Sequence, residues 1–84
     1  MRGVSDNIAV EIAARIERAD DRYGPFRSTH EAMGVALEEW TEFIEAVRSN
    51  QLLDIYEEAL DLAAVMIRLA GSLQDDELAR RSVK

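Results

Sequence analysis

Apolar residues return every three or four positions through most of the chain, and no segment alternates with a period of two. That spacing is the signature of helices buried along one side, and it leaves no room for a sheet. Ile8, Ile12, Ile16 and Ala19 form one stripe, predicting a helix over residues 6–22 with Ser5 or Asp6 at its start. "YGPF" at 23–26 stops it, because Pro25 disfavours the helical conformation at Gly24. "STHE" at 28–31 reads as a capping box, with Ser28 as N-cap and Glu31 three residues on. A second helix over 28–48 then carries Met33, Ala36, Leu37, Trp40, Ile44 and Val47 on one stripe. "RSNQ" at 48–51 is polar and suits a turn, with Asn50 as a cap. A third helix over 51–71 carries Leu52, Ile55, Tyr56, Ala59, Ala63, Met66 and Ala70, and Gly71 suits its C-terminal end. Residues 72–84 have only Leu73 and Leu78 as large anchors, and read as a short helix or a tail. The expectation is one all-α domain over 1–84: a helical hairpin core plus an N-terminal helix.

An 84-residue chain buries a modest share of its surface, yet 48% of this one is hydrophobic. "LAAVMI" at 62–67 is apolar nearly all round, more than one hairpin can cover. Apolar surface is therefore expected to remain for a partner subunit. A net charge of −7 argues against nucleic acid or an anionic membrane as the main partner, and it permits a bound cation. The absence of cysteine excludes disulfides and thiolate metal sites. No apolar run is long enough to span a bilayer, and no signal peptide is apparent, so a cytoplasmic location is expected.

The acids of "ALEEWTEFIEA" at 36–46 do not keep to a polar face. Glu39 and Glu42 are three apart and share a side of the second helix, and Glu38 pairs with Glu42 four apart. On the third helix Glu58 and Asp61 are three apart. Both pairs lie beside apolar neighbours: Val35, Phe43 and Ala46 around Glu39, Leu62 and Val65 around Glu58. An antiparallel hairpin brings the two pairs face to face. Carboxylates crowded in this way repel one another, which raises their pKa values unless a cation relieves them. An all-oxygen set without His or Cys suits Mg²⁺, or Mn²⁺, better than Zn²⁺. The plainer reading is a solvated acidic face in an acid-rich chain, and spacing alone does not exclude it.

"EEWTE" at 38–42 followed by "EALD" at 58–61 resembles the EExxE…ExxD signature of the MazG-like, all-α nucleotide pyrophosphohydrolases. "YGPFRSTHEAMGVALEE" is similar to that family's lead-in to its metal helix, and the resemblance covers roughly residues 8–71. It implies Mg²⁺-dependent hydrolysis of a nucleoside triphosphate, between the α and β phosphates, by a metal-activated water. Carried over by position, it implies Glu39, Glu42, Glu58 and Asp61 as metal ligands, with Glu38 as a ligand or the group that orients the water. It also implies a homodimer or homotetramer that pairs helices into a four-helix bundle, which the Ala-rich third helix suits. A phosphoribosyl-ATP pyrophosphohydrolase is the enzymatic alternative, and a non-catalytic helical interaction module is the alternative of another class.

Other side chains have two readings each. Arg68, two turns after Asp61, suits either a phosphate clamp or a partner for nearby acids. Arg15, Arg18 and Arg27 are weaker candidates for the clamp. Trp40 lies on the apolar stripe and suits the core or, less well, base stacking. Tyr23 and Phe26 suit packing of the turn or stacking on a base. His30 has no second histidine to work with.

Overall fold

The computed structural model describes residues 5–74. Three α-helices follow one another: α1 (Asp6–Tyr23), α2 (Thr29–Ser49) and α3 (Leu52–Gln74). Among the described residues there is no strand, and no helix is long and apolar enough to cross a membrane.

Local chemistry sets the ends of the helices. Ser5 caps α1 by accepting from the Ile8 N–H, and the Ser28 hydroxyl accepts from the Glu31 N–H at the start of α2. Glu31 reaches back one residue further than a standard capping box, to the Arg27 N–H. At the end of α1, Gly24 takes φ +73°, where glycine is strain-free, and donates its N–H to the Asp20 carbonyl. Asn50 adopts the left-handed conformation and donates to the Ala46 and Val47 carbonyls, closing α2. The α2–α3 turn is therefore only Asn50 and Gln51, shorter than the four-residue polar stretch suggested. Helix α3 does not stop at Gly71 but runs on to Gln74, and residues 75–84 of the expected short helix or tail lie outside the described residues. Glycine inside a helix costs about 1 kcal/mol, too little to end one whose Leu69 packs against the core.

Helices α2 and α3 form the antiparallel hairpin, and α1 packs on α3 alone. The stripe Ile8, Ile12, Ile16 and Ala19 lies half-buried against it. The fully buried residues are mostly small: Ala32 and Ala46 from α2, Leu60, Ala64 and Val65 from α3, plus Phe26 from the loop. Small side chains let the hairpin helices approach closely, and this selects the face that goes inside. The larger stripe read on α2 points elsewhere. Met33, Leu37 and Val47 are exposed, and Trp40 is 48% exposed, stacked on Phe43 with ring centroids 5.5 Å apart, not a core residue of the single chain. On α3, Leu52, Tyr56 and Met66 are likewise exposed, and the Tyr56 hydroxyl donates to Glu11 of α1.

Candidate metal centre

Because the hairpin buries its alanine-rich sides, the acids next to those sides go in with them. Glu39 lies between Val35 and Phe43 along the inner edge of α2, and Glu58 and Asp61 lie on the opposing edge of α3. All three residues are half-buried, and one carboxylate oxygen from each lies within 4.8 Å of the others. Two carboxylates this close repel by roughly 3 kcal/mol at an effective dielectric of about 20, less where water reaches them. An exposed ion pair returns about 0–1 kcal/mol, so surface pairing does not offset the repulsion.

The electrostatics follow from that crowding. Burial, then the charges of Glu42, Asp61, Glu58 and Glu38, pushes the Glu39 carboxyl up to about 7 from its ordinary 4.5. Burial, followed by the charges of Glu42 and Asp61 and a hydrogen bond shared with Glu42, raises Glu58 as well, so it is Oε1 alone that lacks a partner there. Glu39 Oε1 and Glu58 Oε1 are buried without a hydrogen-bond partner among the described residues. Orphaned buried carboxylate oxygens are costly, and a divalent cation satisfies both at once. Oxygens around an octahedral Mg²⁺ sit about 3–4 Å apart, so modest side-chain rotation suffices to bring these three to bonding range. The donor set, all carboxylate, fits Mg²⁺ or Mn²⁺.

The cluster stands at one end of a cleft. Because α1 and α2 both lean on α3 without packing on each other, a groove of about 630 Å³ opens between them, floored by Ala64 and Val65. Glu38, Glu39 and Asp61 line its acidic end, with Arg15 and Arg22 on the α1 wall. Tyr23, Pro25, Glu31 and Val35 also line it; Tyr23 is exposed, with the Arg22 guanidinium 5.4 Å from its ring centre. A cleft with carboxylates, guanidinium groups and an aromatic wall has the parts to hold a metal-bound, phosphorylated aromatic ligand.

The remaining sequence candidates fall in several places. Glu42 is exposed, near enough to add charge to both Glu39 and Glu58. Glu38 is exposed at the cleft beside Glu39. Arg68 lines the cleft, but its head faces protein: Nε donates to Asp20 Oδ1 at 3.0 Å, Nη2 to the Gly24 carbonyl at 2.9 Å, and the group lies 4.4 Å from the Phe26 ring centre. It fixes the α1–α2 loop onto α3. Phe26 is buried with Ala32 and Val65 and packs the turn. Arg27 and Trp40 are exposed and outside the cleft lining, and His30 is exposed in the first turn of α2.

One residue carries more than sequence reasoning gave it. Arg15 of α1 donates from Nε to Asp61 Oδ1 at 2.8 Å, from Nη2 to Glu57, and pairs with Glu11 at 3.5 Å. Its side chain is 12% exposed while the acids it meets are 40–46% exposed, so the network is a half-buried seam between α1 and α3. Burial opposes its charge, and Asp61, Glu57 and Glu11 more than offset that, leaving its pKa raised. The signal was present: Arg15 borders the apolar stripe of α1 as the acids border theirs.

Comparison with protein-family profiles, curated proteins and solved structures finds no match to this chain.

Crowding predicts a specific pH dependence in metal-free protein. The folded-state pKa of Glu39, about 7, exceeds its ordinary 4.5, so between those values the folded chain holds a proton that the unfolded chain releases. The Glu39 contribution is therefore favourable at low pH and is lost as pH rises through 7. Glu39→Gln, which mimics the neutral acid, should melt several degrees above wild type at pH 8, and the gap should narrow toward pH 5. Thermal unfolding in EDTA checks this; a lower melting temperature for Glu39→Gln at pH 8 contradicts it.

Proposed function

We propose that the protein is a Mg²⁺-dependent nucleoside triphosphate pyrophosphohydrolase. The observation that carries the reading is the convergence of Glu39, Glu58 and Asp61, with two buried and unpartnered carboxylate oxygens, at the end of a cleft that also holds guanidinium and aromatic groups. The resemblance of "EEWTE" and "EALD" to the MazG-like signature supplies the reaction class.

Glu39, Glu58 and Asp61 would hold the ion, with Glu42 adding negative charge beside them. A bound Mg²⁺ supplies charge neutralisation for the phosphate oxygens and a more acidic water. The chain's own residues do the rest. Arg15 and Arg22 line the α1 wall, where a triphosphate would lie, and the Tyr23 ring stands where a base can lie against it. Glu38 accepts the proton of the attacking water at its exposed carboxylate. The water oxygen bonds to a phosphorus of the α–β anhydride, the bridging P–O bond breaks, and monophosphate and pyrophosphate leave.

The exposed stripes support the second half of the proposal, a homodimer or homotetramer built as a four-helix bundle. Met33, Leu37 and Trp40 on α2 and Leu52 and Met66 on α3 leave large apolar side chains 48–78% exposed, surface that a partner would cover. A second copy of the hairpin covers such surface by the same packing that joins α2 to α3.

Two outcomes follow. A panel of ribo- and deoxyribonucleoside triphosphates and phosphoribosyl-ATP, incubated with protein and millimolar Mg²⁺, should yield pyrophosphate and a monophosphate from at least one member. Glu39→Gln and Asp61→Asn should each cut that rate by 100-fold or more while circular dichroism stays helical. No pyrophosphate from any substrate, with both variants indistinguishable from wild type, would favour a non-catalytic interaction module. Separately, Trp40 is the only tryptophan, so its emission reports the interface directly. Dilution from tens of micromolar to nanomolar should shift its emission to longer wavelength as copies separate, and a concentration-independent spectrum with a monomeric sedimentation coefficient would refute the assembly.

A further inference from the structure

The Arg15 guanidinium stands where a metal ion's positive charge is needed. It comes from α1, is almost buried, and its Nε donates to Asp61 Oδ1, a carboxylate of the candidate metal cluster. Its Nη2 donates to Glu57, one helical step before Glu58. The same head lines the cleft that opens beside Glu39. Three facts follow from this placement. With Asp61 paired to Arg15, the cluster's net negative charge is lower. A divalent cation entering the cluster meets a fixed positive charge bonded to one of its ligands, which weakens that ligand and repels the ion. An anion entering the cleft meets a guanidinium whose Nε, Nη2 and Nη1 face Asp61, Glu57 and Glu11, so Arg15 turns toward it by exchanging one or more of these acids for the anion.

We propose that Arg15 is a cationic placeholder: it neutralises Asp61 before ligand arrives, opposes binding of a divalent ion on its own, and turns its guanidinium to the phosphates when a metal–triphosphate complex enters. The proposal rests on the reading of Glu39, Glu58 and Asp61 as a metal centre. Its consequence is coupling. Ion and triphosphate bind more tightly together than either does alone, because the anion takes over the charge that Arg15 gave to Asp61. Free nucleotide and free Mg²⁺ are each held weakly, and the site selects the complex of the two.

The test is a calorimetric titration of Mn²⁺ into the full-length protein, with and without a saturating non-hydrolysable α,β-methylene triphosphate. Wild type should bind Mn²⁺ at least ten-fold more tightly in the presence of the analogue. Arg15→Gln should bind Mn²⁺ alone at least three-fold more tightly than wild type, hold the analogue at least ten-fold more weakly, and lose most of the coupling. Arg15→Lys keeps the charge and the tie between α1 and α3 but not the planar fork. It should show near-wild-type affinity for Mn²⁺ alone and reduced affinity for the analogue, and it serves if Arg15→Gln fails to fold. Mn²⁺ affinity unchanged or weaker in Arg15→Gln, or coupling unchanged in Arg15→Lys, would overturn the placeholder role while leaving the metal centre standing. Absence of Mn²⁺ binding in wild type and in both variants would overturn the two together.

Discussion

Repulsion among Glu39, Glu58 and Asp61 is the constraint around which the other features arrange themselves. The carboxylates are forced together by helix packing that has no use for them. The α2–α3 hairpin closes on Ala32, Ala46, Leu60, Ala64 and Val65, and these small or branched residues bring the backbones close. Glu39 and Glu58 sit at the edge of that contact, so each loses water from one oxygen and gains no donor in exchange. A chain that needed only stability would have placed apolar residues at both positions, since an uncompensated buried carboxylate costs more than the packing it permits. Retaining the acids has a physical rationale if a cation completes the site when the protein works, and a site that is strained without its ligand binds that ligand more readily.

The same constraint explains the position of α1. This helix buries no residue completely, and its stripe of Ile8, Ile12, Ile16 and Ala19 is only half-covered by α3. Two arginines running in opposite directions tie it down. Arg15 reaches from α1 to Asp61 and Glu57, and Arg68 reaches from α3 to Asp20 and the Gly24 carbonyl. Between these ties α1 stands off α2, which is why a cleft exists at all. The Arg68 tie is built of protein partners on every side. The Arg15 tie ends on an acid that belongs to the candidate metal centre, so α1 is coupled to the state of that centre through a single side chain.

Much of this was legible in the sequence because it depends on local chemistry. Ser5, Ser28, Gly24 and Asn50 set helix ends through hydrogen bonds within a few residues, and the three- and four-residue spacing of Ile8, Ile12 and Ile16 gives the buried side of α1 directly. The meeting of Glu39 with Glu58 and Asp61 was also legible, since a short turn makes an antiparallel hairpin and matched spacing puts the pairs level. What failed was the choice of face. Helical periodicity ranks large apolar residues first and so selects Met33, Leu37 and Trp40, whereas close helix packing selects Ala32 and Ala46. Helix α3 compounds the difficulty, because it is apolar on opposite sides and one wheel cannot say which side meets α2. Gly71 misled for a different reason: a glycine marks a helix end only where the backbone takes a positive φ, and here it does not. Arg15 was underweighted because its partners lie more than forty positions away, on a helix whose docking angle no local signal fixes.

The most direct measurement of the central claim is anomalous diffraction from crystals grown or soaked in Mn²⁺, recorded near the manganese edge. A peak is expected within bonding distance of Glu39, Glu58 and Asp61, with Glu39 Oε1 and Glu58 Oε1 among the ligands and the Arg15–Asp61 bond lengthened or broken. A well-ordered map with no manganese at that position, at a concentration that saturates binding in solution, would contradict it and leave the three carboxylates as an acidic edge of the hairpin.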